Sequence, residues 1–265
     1  MNLEKLTKQV CSLVIKTGDM IRREVKHVKA DDIKTKSLHN FVTYVDKTSE
    51  KLLVDRLSVL LPGSGFIAEE NDTLSPGELT WVIDPLDGTT NFIHGVPVYS
   101  ISIGLLQGSD VLLGVVYEIN RKECFYTWGS APSFLNHEPI KVSPAKKLTD
   151  SLLATGFPYY DYGRLDEYLA LFRYLMQHSR GIRRLGSAAA DLAYVACGRF
   201  DGFYEYGLSP WDVCAGTLLV KNAGGIVSDF MGCQNYIFGK EILASNSLIH
   251  NELQKLFVSW NPVDQ

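Results

Sequence analysis

The spacing of hydrophobic positions changes along the chain, and each change marks a new element. Leu3, Leu6, Val10, Leu13, Val14, Thr17 and Ile21 recur at three- and four-residue steps with polar residues between them. That period predicts an amphipathic helix over 3–25. Residues 26–40 lose the period and carry Asp31, Asp32, Lys34 and Lys36, which predicts a polar loop or loose hairpin, either a solvated surface or a flap over a site. A second helix is predicted over 45–60, with Leu52, Leu53, Leu57 and Leu60 on its apolar face and Pro62-Gly63-Ser64-Gly65 ending it. Short apolar runs follow. Phe66-Ile67-Ala68 and Trp81-Val82-Ile83 have the length and composition of buried strands, with a surface loop between them. Pro85 cannot donate a ladder hydrogen bond, so the second strand is expected to stop near Asp84. Residues 98–106 and 111–117 flank Gln107-Gly108-Ser109-Asp110, a hairpin signal, and 123–128 continues the sheet.

Beyond residue 150 the period alternates. Strands are predicted at 152–155, around Ile182, and at 200–206, 226–229 and 242–245. Helices are predicted at 165–178, 187–197 and 212–223, and from Asn246 or Ser247 to about Trp260. Gly224-Gly225 closes the third of these. Alternation of this kind predicts a mixed α/β fold with helices packed on sheets. The turn-rich stretch 129–147, with Pro132, Pro139 and Pro144, marks a soft boundary within a single domain spanning 1–265.

Composition narrows the function classes. With 46% hydrophobic and 21% charged residues the chain reads as an ordinary globular protein, and a net charge of −4 argues against general nucleic-acid binding. Arg173, Arg180, Arg183 and Arg184 form the one basic cluster, read as a solvated face or as a docking patch for RNA or transcription machinery. The five cysteines include no C-x-x-C pair, which points to reduced, mostly buried thiols. No apolar run approaches about 18 residues and the N-terminus has no apolar signal region, so a cytoplasmic, non-membrane protein is expected. The six histidines form no H-x-x-x-H pair.

The candidate chemistry is acidic. Glu69, Asp84, Asp87 and Asp212 all fall at element ends, and Asp46 falls in the first turn of the second helix. Capping or first-turn charge pairing is the alternative reading for Asp46 and Asp212. Glu69 and Glu70 are adjacent on a strand, so only one of them faces a given site. A strand end bearing Asp84 and Asp87, followed by Gly88, Thr89 and Thr90, suits a hard cation and a phosphate held together. An oxygen-only set favours Mg²⁺ or Mn²⁺ over zinc, and so many clustered carboxylates would repel one another without a cation.

Asp84-Pro85-Leu86-Asp87-Gly88-Thr89-Thr90-Asn91-Phe92 resembles the first signature of the inositol monophosphatase family, and Trp211-Asp212-Val213-Cys214-Ala215-Gly216, running on to Ala223-Gly224-Gly225, resembles the second. Glu69-Glu70, Val42-Thr43 followed by Asp46, and Gly186-Ser187-Ala188-Ala189 fall where that family has its other motifs. The resemblance implies an αβαβα sandwich, a homodimer, lithium sensitivity and two to three Mg²⁺ per subunit. It implies that Glu69, Asp84 and the Leu86 carbonyl hold one ion, and that Asp84, Asp87 and Asp212 hold a second. Glu69 would also face a third through water. Gly88 and Thr89 would bind the phosphate, Asp46 and Thr89 would pair beside the attacking water, and Glu69 would orient that water. Gly186, Ser187, Ala188 and Glu205 would contact the alcohol. The implied reaction is hydrolysis of a phosphorylated polyol, myo-inositol monophosphate first. Fructose 1,6-bisphosphate, 3′-phosphoadenosine 5′-phosphate and histidinol phosphate are the alternatives. One departure stands out. The family's flap often carries an acid where this chain has Asn40, which weakens the case for the third ion, while Lys36 is in place to approach the site.

Overall fold

The computed structural model describes residues 1–28, 30–37, 40–70, 75, 77–158 and 161–260. Helix α1 (Leu3–Glu24) is followed by the antiparallel pair β1 (Lys34–Ser37) and β2 (Asn40–Val42), then by α2 (Tyr44–Leu60). Strands β3 (Gly65–Ala68) and β4 (Leu79–Asp87) lead into the short helix α3 (Thr89–His94). Next come β5 (Ser100–Gln107), β6 (Asp110–Glu118), β7 (Glu123–Trp128), β8 (Phe134–Leu135) and β9 (Glu138–Pro139). The second half runs β10 (Leu152–Thr155), α4 (Leu165–His178), β11 (Gly181–Arg183), α5 (Ala188–Ala196), β12 (Gly202–Tyr206) and α6 (Pro210–Asn222). It ends with β13 (Gly225–Ser228), β14 (Glu241–Asn246) and α7 (His250–Trp260).

Two sheets organise these elements. One is ordered β3-β4-β5-β6-β7-β8-β9 and the other β11-β10-β12-β14-β13. Helices α1 and α2 pack on the outer face of the first sheet, α4 and α7 associate with the second, and α5 and α6 lie between the sheets. The result is the αβαβα sandwich, and the sequence explains the choice of middle layer. Every residue of α5, AAADLAYVA, is buried, because a helix covered on both sides must be apolar nearly all round. Helix α1 instead buries one stripe, including Val10, Val14 and Ile21. Trp81, Val82 and Ile83 are fully buried in β4, which pairs parallel with β3 and antiparallel with β5. Truncating Ile83 to Ala there would cost about 2–5 kcal/mol.

Several boundaries differ from the sequence expectation, each for a local reason. Strand β4 does not stop near Asp84 but continues to Asp87. Asp84 pairs with Ser102 and Asp87 with Ser100, so β4 spends one residue more than β5 over the same stretch. A bulge of this kind is where a strand tolerates proline. Helix α6 begins at Pro210, two residues before Asp212, since Pro suits a first helical turn. The hairpin strand β5 starts at Ser100 and β12 at Gly202, each two residues later than expected. Helix α7 starts at His250, because Asn246 ends β14 and its side chain accepts the Leu248 and Ile249 N–H groups in a turn. The polar stretch after α1 does form a hairpin, β1–β2, but the side chains of Lys36 and Asn40 lie outside the described residues.

Candidate active site

Three carboxylates meet at the end of β4 and the start of α6. Asp84, Asp87 and Asp212 each place an oxygen within 4.8 Å of the others. Local folding dictates the meeting. The β4 bulge carries Asp84 and Asp87 past the last β3 pairing at Ala68. Asp212 is the third residue of α6, where a carboxylate closes a capping box with Ser209.

One oxygen of each acid is committed to the backbone. Asp84 Oδ1 accepts the Leu86 N–H at 2.9 Å, and Asp212 Oδ2 accepts the Ser209 N–H at 2.7 Å. Asp87 Oδ2 accepts the Ser187 hydroxyl at 2.6 Å and the Ala189 N–H at 2.7 Å, tying β4 to the start of α5. A carboxylate has two oxygens and about four acceptor sites, so capping and cation binding are compatible duties.

Asp46 shows the same division. Its Oδ2 accepts the Thr43 N–H at 2.8 Å and the Thr43 hydroxyl at 2.6 Å, while its Oδ1 accepts the Thr89 hydroxyl at 3.0 Å. Thr89 also lies 3.1 Å from the Leu86 carbonyl oxygen. Gly88, just before Thr89, has φ +97°, and a Cβ there would meet the carbonyl oxygens of Gly186 and Val98 at 3.0 and 3.1 Å. Only glycine brings this turn so close to the 186–188 segment. Helix α3, too short to stand alone, is anchored by Phe92 edge-on to Tyr99 at 5.4 Å. Asn91 secures it further by donating to the Val98 and Leu185 carbonyls at 2.7 Å each.

The acids border a cavity of about 180 Å³. Of the residues expected at the site, Glu69, Asp87, Gly88, Thr89, Gly186, Ser187, Ala188, Glu205 and Asp212 line it. Asp84 is buried beneath it, 2% exposed, and Asp46 lies behind Thr89. The Leu86 side chain is buried in the core, so only its backbone is offered to the site. Of the glutamate pair, Glu69 faces the cavity while the Glu70 N–H is held by Glu50 Oε2 at 2.7 Å.

Withdrawal from water dominates the electrostatics. Burial, then the charges of Glu69, Asp87 and Asp212, hold the Asp84 carboxyl well above the ordinary carboxylate range. Burial and the Asp87 charge do the same to Asp212. Burial pushes Asp87 up to about 6, against its hydrogen bonds from Ser187 and the Ala189 backbone. Glu205 is pushed up to about 8 by burial, with the Arg184 charge opposing. Its carboxylate lies directly over Gly156, where a Cβ would collide with it.

The cavity wall also includes residues that the sequence pattern does not assign to the site, among them the charged Asp191 and Arg184, together with Gly156 and the 206–209 segment. The basic cluster is in fact divided. Arg184 lines the cavity with its guanidinium 5.4 Å from the Phe157 ring centroid, while Arg180 reaches Asp150 at the surface at 3.3 Å. A charge spacing along the chain cannot show which arginine turns inward. Asp191 is visible as the one charge in the small-residue run of α5, but nothing in its spacing marks it as cavity-facing.

A model of the Inositol monophosphatase family matches residues 2–260. The chain belongs to the inositol monophosphatase family. It is 37% identical over 243 residues to an inositol-1-monophosphatase of Mesorhizobium japonicum, covering 91% of each chain. It is 41% identical over 236 residues to the Nus factor SuhB of Pseudomonas aeruginosa, covering 87% of each. The fold superposes on the crystal structure of extragenic suppressor protein suhB from Bartonella henselae with a TM-score of 0.89 at 34% identity, over 97% of this chain and 98% of that one. Membership of this family makes the chain a phosphatase, and the acid cluster is where the family's metal dependence would reside.

Proposed function

We propose that the protein is a Mg²⁺-dependent phosphatase that hydrolyses the phosphate monoester of a small polyol, with myo-inositol monophosphate as the foremost substrate. The observation that carries this reading is the convergence of Asp84, Asp87 and Asp212 within 4.8 Å. The donor set fits the ion: all oxygen, mostly buried, and mutually repelling in the absence of a cation. Glu69, Asp84 and the Leu86 carbonyl would hold one Mg²⁺, and Asp84, Asp87 and Asp212 a second, with Mn²⁺ an acceptable substitute and Glu69 facing a third. When bound, the ions supply charge neutralisation at the phosphate and a lowered pKa for the attacking water.

The chain's own residues do the positioning. The Thr89 hydroxyl donates a hydrogen bond to Asp46 Oδ1, which leaves the hydroxyl oxygen's lone pairs to accept from the attacking water. Glu69 lines the same cavity and would orient that water. The N–H groups of Gly88 and Thr89, at the open start of α3, receive phosphate oxygens. Gly186, Ser187 and Ala188 form a floor under the alcohol, and Glu205 accepts its hydroxyls. A phosphatase panel of myo-inositol 1-phosphate, fructose 1,6-bisphosphate, 3′-phosphoadenosine 5′-phosphate and histidinol phosphate, with Mg²⁺ or EDTA, tests the reading. The expected result is Mg²⁺-dependent turnover with the highest kcat/KM on inositol phosphate. Turnover unaffected by EDTA overturns the metal assignment, and a higher kcat/KM on another ester overturns the substrate.

A second reading, a partner of transcription or RNA machinery, is favoured by the 41% identical relative named a Nus factor. Charge reversal of the exposed Arg180 and Arg183 tests it, since Arg184 belongs to the cavity. Loss of capture of RNA or RNA polymerase at physiological salt supports the partner role, and no binding by the unaltered protein retires it.

A further inference from the structure

Asp191 is the one charged residue in a helix whose every residue is buried. It stands one turn into α5, three residues after Ala188 and four after Ser187, and so shares the helix face that floors the cavity. Its backbone N–H makes the ordinary helical bond to the Ser187 carbonyl at 3.0 Å, and the cap of this helix is Ser187. The Asp191 carboxyl caps no N–H of the helix, its local contribution being that of a first-turn acid, and Ala has the higher intrinsic helix propensity there.

The side chain is 1% exposed and lines the cavity, and Asp191 Oδ1 has no hydrogen-bond partner among the described residues. Burying a carboxyl oxygen with no partner is among the costlier local arrangements a core can contain. The cost is recovered when a ligand brings a donor. Glu205, Asp87 and Arg184 are the charged neighbours that Asp191 feels. Glu205 and Asp191 are both acceptors, so they match hydroxyl groups, each of which donates one hydrogen bond. Glu205 alone offers its acceptors at one place on the cavity wall, whereas two carboxyls from different elements reward an alcohol with hydroxyls at more than one position.

We propose that Asp191 is a specificity residue whose carboxyl oxygen accepts a hydrogen bond from a hydroxyl of the alcohol, so that with Glu205 it selects phosphate monoesters of polyhydroxylated alcohols. This rests on the phosphatase reading above. A site built to receive a hydroxyl rejects an alcohol lacking it, because the buried acceptor is then stranded.

The test compares unaltered protein, Asp191→Ala and Asp191→Asn at saturating Mg²⁺. The substrates are myo-inositol 1-phosphate and p-nitrophenyl phosphate, whose alcohol carries no further hydroxyl. The quantity read is the ratio of kcat/KM on the polyol ester to that on the aryl ester. Asp191→Ala is expected to lower that ratio by about tenfold or more, mainly through KM on the polyol ester. Asp191→Asn keeps a carbonyl acceptor and near-identical volume, so its ratio falls less, and it carries the test if the Ala variant does not fold. An unchanged ratio, or loss on both esters in proportion, overturns the assignment and leaves Asp191 a structural residue. Unaltered protein that turns over neither ester overturns the phosphatase reading instead.

Discussion

The Thr89 hydroxyl lies 3.0 Å from Asp46 Oδ1, bridging the first turn of α2 and the start of α3 across 43 residues of sequence. The other Asp46 oxygen closes the capping box with Thr43. Replacing Asp46 by Asn therefore acts in two places. The loss of charge at Thr89 is expected to lower kcat by at least about a hundredfold with little change in KM. The weakened cap costs about 1 kcal/mol, read as a lower Tm. Thr89→Ser, which keeps the hydroxyl, retains most activity, whereas Thr89→Val does not. Near-normal kcat in Asp46→Asn refutes the proton-holding role.

Asp87→Asn separates metal binding from folding. The amide oxygen can still accept from Ser187 and the Ala189 N–H, so β4 stays tied to α5. Circular dichroism is expected to be unchanged while Mg²⁺-dependent turnover is abolished and calorimetric Mg²⁺ binding weakens. A variant with normal turnover would falsify the assignment of Asp87 to a cation.

Glu50 predicts an effect at a distance. It is fully buried on α2, one turn after Asp46, and its Oε2 receives the Glu70 N–H at 2.7 Å, which fixes the bend carrying Glu69. Glu50→Gln keeps an acceptor and is expected to raise the Mg²⁺ midpoint for activity a few-fold. Glu50→Ala raises it by about tenfold or more. If both variants show the Mg²⁺ titration of the unaltered protein, the bend is held by something else.

The pH dependence of stability follows from Glu205 and Asp87, pushed up to about 8 and about 6. Ordinary carboxylates lose their proton near 4. Between pH 4 and 8 the folded protein therefore holds more protons than the unfolded chain, and stability falls as pH rises. Metal-free protein is expected to lose stability across this window through these groups, and Glu205→Gln flattens the upper part of the slope. Buried His250, lowered to about 4 by burial, contributes the opposite sign: its stability is present above about 6.5 and lost as pH falls toward 4. Melts in EDTA and in Mg²⁺ across pH 4–8 check both, with the stabilisation by Mg²⁺ growing as the acids ionise.

Much of this was legible from residue order because it depends on local rules. The apolar stripe of α1, the buried runs of β3 and β4 and the Gly108 hairpin are set by neighbours a few residues away. The acids at element ends were legible for the same reason, since strand ends and first helical turns favour them independently of any site. What was not legible depends on tertiary direction. The bulge that carries β4 past Pro85 exists because β5 runs alongside it. Arg184 and Arg183 are neighbours in sequence, yet one turns into the cavity and the other is exposed. Asp191 becomes informative only once α5 is seen between two sheets, where a carboxyl has no solvent to face.

The double use of carboxylate oxygens bears on how such a protein can diverge. Asp46, Asp84, Asp87 and Asp212 each hold a turn or a helix start with one oxygen, so a substitution there is opposed by folding as well as by turnover. Glu205 and Asp191 project from within β12 and α5 and terminate neither element. If they contact the alcohol as proposed, exchanging them would alter what the cavity admits without undoing an element end. On that assignment, a lineage built on this frame would be free to drift from one alcohol to another while its phosphate-cleaving end stayed fixed.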